Sequence, residues 1–149
     1  YTKEDLIEAR LLIEPLIVEL AARKIDEKGR QRLREAVAAH EKDYQAKGTS
    51  RLGWESNLIY SELTGNPILT VIEELLIRIL LDLEFSFGMD DIESPERFEG
   101  YNHQSYTGHK RIIQELIDGN PEKSRTEAYE HKKRWGELLL EITKGNGVT

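Results

Sequence analysis

Apolar residues recur at three- and four-residue intervals along almost the whole chain, and residues that end one helix and start the next stand at the breaks. Thr2 followed by Asp5 is a capping-box pattern. Leu6, Ile7, Leu11, Ile13, Leu16, Ile17 and Leu20 then hold helical spacing, so the first helix is predicted to run to about Lys24. Pro15 lies inside it and removes one backbone hydrogen bond. It should bend the helix rather than end it, because the apolar pattern continues. Asp26 caps a second helix with Leu33, Val37 and Tyr44 on its apolar side and an end near Gly48. Leu52, Leu58, Ile59 and Leu63 mark a third, after the break at Thr49 and Ser50. Gly65 suits the left-handed end of that helix, and Pro67 the first turn of the next.

Residues 68 to about 85 form the most apolar helix, with Leu69, Val71, Ile72, Leu75, Leu76, Ile77, Ile79, Leu80, Leu81 and Leu83. A helix apolar on more than one side is either the centre of the bundle or shared with a second copy of the chain. Residues 87–100 hold Gly88, Pro95, Gly100 and several acids, which predicts a loop with at most a short helical turn. A helix over about 101–117 follows. Asp118-Gly119-Asn120-Pro121 stops it and starts the last helix, with Asn120 as cap, and that helix reaches about Thr143. The tail, 145–149, should fray. The fold class is all-α: one domain, an antiparallel bundle of six to seven helices, with no convincing strand, repeat or interdomain linker.

Composition narrows the function. The 149 residues include no Cys, so disulfides and thiolate metal sites are excluded, and a reducing, cytoplasmic setting is expected. No apolar run approaches the roughly 20 residues that span a bilayer, and the first residues do not read as a signal peptide. A start at Tyr1 suggests part of a longer protein. The net charge of -7 is unsuited to gripping phosphates, and acids surround the one basic cluster, His131-Lys132-Lys133-Arg134. There is no H-E-x-x-H, no E-x-x-H and no nucleophile motif, so the chain is not read as an enzyme.

His109 and His131 stand 22 residues apart on different predicted helices. Imidazoles converging from separate helices suit a divalent ion such as zinc or nickel inside a bundle. Equally, they are core histidines bonded to each other, to water or to a ligand. Arg10 lies one turn before Glu14. It either enters a pocket and forks a ligand carboxylate, or pairs with Glu14 at i+4. Tyr60, Tyr101, Asn102, His103, Tyr106 and Tyr129 either line a polar pocket or pack at the surface. Trp54 and Trp135 read as packing anchors. His40, within His40-Glu41-Lys42-Asp43, reads as solvated.

Three ordered stretches resemble the FCD domain, the effector domain of GntR-superfamily transcription regulators of the FadR type. They are Glu8-Ala-Arg10-Leu-Leu-Ile-Glu14-Pro with Leu20-Ala21-Ala22-Arg23; Leu63-Thr64-Gly65-Asn66-Pro67-Ile68-Leu69; and His109-Lys-Arg-Ile112-Ile113 with Asp118-Gly119-Asn120, Ala128 and His131. The resemblance implies a helical, homodimeric domain that binds a small carboxylate or sugar acid and meets no membrane. DNA would be reached only through a winged helix-turn-helix domain that precedes it and is not in this chain. The resemblance also implies a divalent metal held by an Asp and a His four apart on one helix and by two later histidines. His109 and His131 match the later pair, whereas Gly53 and Asn57 stand at the first two positions. Glu55 points about 160° away from Asn57 at 100° per residue and cannot substitute. The implied metal ligands are Asn57, His109 and His131, and the implied effector contacts are Arg10, Asn57, Tyr60, His109 and His131. A metal-free pocket contacting the effector directly, and a plain dimerisation module with a degenerate pocket, remain as alternatives.

Overall fold

The punctuation read from the sequence opens and closes the helices as expected. The computed structural model describes residues 1–50, 52–89 and 95–144. Among them run α1 (Lys3–Lys24), α2 (Glu27–Lys47), α3 (Leu52–Leu63), α4 (Pro67–Ser86), α5 (Glu99–Ile117) and α6 (Pro121–Ile142), with a 3₁₀ turn, Pro95–Phe98, leading into α5. No strand occurs among the described residues. Asp5 N donates to Thr2 Oγ1 at 3.1 Å and Thr2 N to Asp5 Oδ2 at 2.7 Å, which completes the capping box. Gly29 N donates to Asp26 Oδ1 at 2.8 Å. Gly48 and Gly65 take φ of 72° and 69°, the left-handed region that a helix end demands and glycine adopts freely. Ile68 N donates to Asn66 Oδ1 at 3.0 Å, with Pro67 at the first helical position.

Helix α1 runs without a break through Pro15. It packs along α6 and also meets α3, α4 and α5. Gly136 allows the close approach to α6, since a Cβ there would stand 2.8 Å from Ile7 Cγ2. Two apolar clusters form around this axis. One gathers Ile17, Val18, Ala21, Leu33, Tyr60, Ile112, Ile113, Leu116 and Ala128. The other gathers Leu6, Leu76, Leu80, Met89, Phe98, Tyr101, Trp135 and Leu139. Along both α1 and α6 the residues between the clusters are polar and buried: Arg10 and Glu14 on one, His131 and Lys132 on the other. The bundle is thus two apolar halves with a polar layer between them.

Four expectations need correction or limit. Helix α4 is not central: Ile68, Val71, Leu75 and Phe85 lie on its outer side, Val71 63% and Phe85 74% exposed. Glu73, Leu76, Ile77 and Leu80 turn fully into the bundle, with Leu69, Ile72, Ile79 and Leu83 packed at its edge, and the remaining apolar surplus faces outward. His40 is buried rather than solvated, and its Nε2 pairs with Glu55 across α2 and α3. The same contact turns Glu55 away from Asn57. Asn120 stands at the cap of α6 but makes no capping hydrogen bond, because its side-chain amide donates to Glu115 Oε2 at 2.9 Å. Helix α5 begins at Glu99, and the earlier part of the expected loop ends in a turn at Met89. Residues 90–94 and the tail at 145–149 lie outside the described residues.

Leu116, fully enclosed in the first cluster, tests the packing. Leu116→Ala should cost about 2–5 kcal/mol in urea-induced unfolding, the range for emptying a closed core site. A loss below about 1 kcal/mol would mean that the cluster is loosely packed.

Candidate functional site

The polar layer brings together all five residues singled out from the sequence as ligand contacts. Helix α1 supplies Arg10, α3 supplies Asn57 and Tyr60, α5 supplies His109 and α6 supplies His131. All five are buried. The two imidazole rings meet edge to face, with centroids 4.4 Å apart. Tyr60 OH lies 3.1 Å from His109 Nδ1. Gln104 Nε2 lies 3.0 Å from His131 Nδ1 and donates to the His131 carbonyl at 3.3 Å. That carbonyl can only accept, which fixes the amide as a donor. His131 Nδ1 is therefore the acceptor, and the neutral ring carries its proton on Nε2. Burial pushes both histidines well below their usual range; His131 and Lys132 add to it for His109, and Lys132 and Arg10 for His131. Both rings are neutral at physiological pH.

Charge enters beside them. Arg10 Nε donates to Glu14 Oε1 at 2.6 Å, the i+4 pair weighed from the sequence, and its guanidinium lies 4.2 Å above the Trp135 ring. Lys132 Nζ reaches the other oxygen, Glu14 Oε2, at 2.7 Å and donates to Asn57 Oδ1 at 3.2 Å. Burial would raise Glu14, but Arg10 and Lys132 together outweigh it and hold the carboxyl below its usual value. Glu73 of α4 faces the same group. Burial, then the Glu14 charge, push it up to about 9, so it is protonated at neutral pH. Burial and Arg10 bring Lys132 down to about 8, against the pull of Glu14. Two cations thus share one ionised carboxylate. Arg10 Nη1, Asn57 Nδ2 and Gln104 Oε1 are buried and have no protein partner.

The metal-ligand set implied by resemblance can be tested against these donors. A Cβ built on Gly53 would meet Ser105 Oγ at 2.8 Å and stand 3.8 Å from His109 Nε2, so position 53 faces Ser105 and His109, but glycine offers no ligand. Asn57 Oδ1 already accepts from an ammonium. Glu14 is engaged by two cations. Among the described residues no group of three or more His, Asp or Glu is arranged to hold a metal ion. The donors present fit a divalent cation poorly.

Several residues here carried little signal. Glu14 was legible only as a partner for Arg10, and Lys132 only as part of a basic surface cluster. Yet Lys132 falls in phase with Ala128, Trp135 and Leu139, and Glu73 with Leu76, Ile77 and Leu80. A charge inside a buried stripe is the mark that would have found both. Gly108 is a further one: a Cβ there would overlap the His131 ring, so only glycine lets α5 accept it. The remaining aromatic and polar residues are elsewhere. Tyr101 OH donates to Glu84 Oε1 at 2.7 Å and accepts from Trp135 Nε1 at 2.6 Å, placing it below the site. Tyr106 stacks on Tyr44, His103 meets Tyr44 OH at 3.1 Å, Asn102 is half-buried and Tyr129 is exposed. Trp54 is half-buried in a groove of about 270 Å³ between α3 and α4. A larger groove, about 350 Å³, runs between α1 and α6 past Ile7, Leu11 and Tyr129. Neither touches the histidines.

The FCD domain model matches residues 5–134, from the first turn of α1 to just past His131 and Lys132. The chain belongs to the FCD domain family. FCD domains are the effector-binding, regulatory domains of GntR-type transcription regulators, and so belong to regulators rather than enzymes. No curated protein matches the chain. Within this FCD domain no described helix is long and apolar enough to cross a membrane.

Glu73 offers a direct check on the electrostatics of the FCD domain. Its folded value lies above the unfolded one, so its contribution is fully present below about pH 4.5 and is lost as pH rises through about 9. Glu73→Gln keeps the shape and removes that loss. The variant should therefore gain stability over the parent with rising pH, by up to about 3 kcal/mol at pH 7. Chemical denaturation at pH 5 and pH 8 measures it, and a difference that does not change with pH would mean that Glu73 is ionised in the folded state.

Proposed function

We propose that this FCD domain senses a small anionic effector, a carboxylate or sugar acid, held directly by protein side chains without a metal. The observation that carries the reading is a pair of buried donors in the polar layer, Arg10 Nη1 and Asn57 Nδ2, that no protein acceptor meets. Arg10 and Lys132 are both 2% exposed and share the single ionised carboxylate of Glu14. With Glu73 protonated, one positive charge is left over in a medium that solvates it badly. Arg10 Nη1 and Asn57 Nδ2 are donors with no protein partner beside it. An effector carboxylate supplies both the missing charge and the missing acceptors. Tyr60, His109 and His131 form the neutral wall that would read the rest of the molecule. In the parent regulator, a winged helix-turn-helix outside this chain would contact DNA, and the effector acts by favouring one arrangement of a dimer over another.

Titration calorimetry of the chelator-treated domain against a panel of carboxylates and sugar acids tests this. At least one should bind, and Arg10→Met should weaken it by about 10- to 100-fold, the worth of a charged hydrogen-bonded contact. If no acid binds or shifts the melting temperature, the sensing role fails and a plain dimerisation module is left.

The dimer would use the outer side of α4. Ile68, Val71, Leu75 and Phe85 form an exposed apolar stripe of the kind that protein interfaces cover. Val71→Glu with Leu75→Glu should convert a dimer to a monomer in sedimentation analysis and leave the circular dichroism spectrum unchanged. A parent domain that sediments as a monomer at high concentration would end this assignment.

A further inference from the structure

A metal in a helical bundle gathers oxygen and nitrogen ligands from several helices onto one cation. In this chain a cation already does so. Lys132 follows His131 on α6, and its Nζ draws in Glu14 Oε2 from α1 at 2.7 Å and Asn57 Oδ1 from α3 at 3.2 Å. The ammonium is 2% exposed, so it does not reach out to water as a lysine normally does. At Gly53, whose Cβ direction leads to within 3.8 Å of His109 Nε2, the side chain that would bring an anionic ligand is absent. The absence of an acid at position 53 on α3 and the presence of a buried ammonium on α6 act in the same direction. Each removes a reason for a divalent ion to bind, and together they keep the layer cationic.

We propose that Lys132 occupies the role of a metal ion in this domain: its ammonium is the built-in cation that ties α1, α3 and α6 together at the histidine pair and excludes a divalent ion from it. The assignment rests on the anion-sensing reading above for its purpose but not for its test. An ammonium has fixed stoichiometry and cannot be removed by a chelator. Its tetrahedral donors also take neutral oxygens such as that of Asn57, which a zinc ion holds weakly. Removing the charge frees the Glu14 and Asn57 oxygens, and an acid at position 53 would add a ligand facing His109, where the described residues as they stand form no metal-holding group. The histidine that now presents N–H at Nε2 can exchange its tautomer, because neutral imidazole binds metal through either nitrogen.

The experiment is calorimetric titration of zinc alone into the intact chain. Four forms are compared: the parent, Lys132→Met, Gly53→Asp, and the double variant Gly53→Asp with Lys132→Met. Melting curves establish that each is folded. The parent should take up no stoichiometric zinc. Lys132→Met should bind zinc at least about tenfold more tightly, and the double variant more tightly again, by the 10- to 100-fold that a ligand-shell change brings. Gly53→Asp alone should gain less than the double variant, because the ammonium is still there. His109→Ala in the Lys132→Met background should abolish the gain. A parent chain that binds one zinc and loses it with His109→Ala overturns the proposal. So does a folded Lys132→Met chain with no gain in affinity, or Gly53→Asp matching the double variant. Should Lys132→Met not fold, the proposal stands or falls on Lys132→Gln, a polar neutral replacement, read in the same way. If the zinc titrations come out as expected while no acid binds the parent, the sensing reading fails and the role of Lys132 stands.

Discussion

Everything in this domain is arranged around a carboxylate that cannot reach water. Glu14 lies in the middle of α1 with a guanidinium on one oxygen and an ammonium on the other. Burying three such charges is costly, and a pair of this kind adds little net stability compared with well-packed apolar residues. What it does impose is position. Arg10 cannot leave Glu14, and it is pinned from the far side by the Trp135 ring. Lys132 cannot leave without abandoning both Glu14 and Asn57. Helices α1, α3 and α6 are therefore locked in mutual register by directional contacts that apolar packing alone does not specify. Burial, and then the charge of the neighbouring Glu14, keep Glu73 neutral.

The two apolar clusters explain how such a layer persists. On α1, Leu6 belongs to one cluster and Ile17 to the other, with Arg10 and Glu14 between. On α6, Leu139 and Ala128 play the same parts around Lys132 and His131. Each half of the bundle clamps the helices at its own end, so the layer does not need to be self-supporting. It can keep unpartnered donors and acceptors that a continuous apolar core would not tolerate.

The sequence made the helices legible because their limits are set by local chemistry. A capping box at Thr2 and Asp5, glycines at 48 and 65 and prolines at 67 and 121 act within a turn of themselves, so a reader needs no tertiary knowledge. The outward stripe of α4 was visible as surplus apolarity, but the sequence alone could not tell a central helix from a shared surface; that depends on which side Glu73 takes. The site was half legible. His109, His131 and Arg10 came from their types and spacing, Tyr60 from its type and Asn57 only from the resemblance, and they do converge. Lys132 was hidden among neighbours, because a lysine beside Lys133 and Arg134 reads as surface unless its phase with Ala128 and Trp135 is weighed. His40 misled in the same manner: its charged neighbours suggested water, while its own phase on α2 turned it toward Glu55. In both cases helix phase outweighed local composition, because a side chain's direction is set by rotation about the axis and not by the polarity of adjacent residues.

Helix α4 joins the interior to the surface. Its inner side carries Glu73 against the Glu14 cluster, and its outer side carries Val71 and Leu75, two residues away in either direction. On the sensing reading, an anion that meets Arg10 Nη1 and Asn57 Nδ2 adds a negative charge beside Glu14 and changes what Glu73 faces across the layer. A helix cannot rotate one side without the other. Any adjustment that Glu73 makes to a changed charge inside is therefore delivered to the Val71–Leu75 stripe outside, over the width of one helix. The link needs no chain of intermediates: the buried charge and the exposed apolar stripe are opposite sides of one rigid element, and a shift of a fraction of a turn changes both.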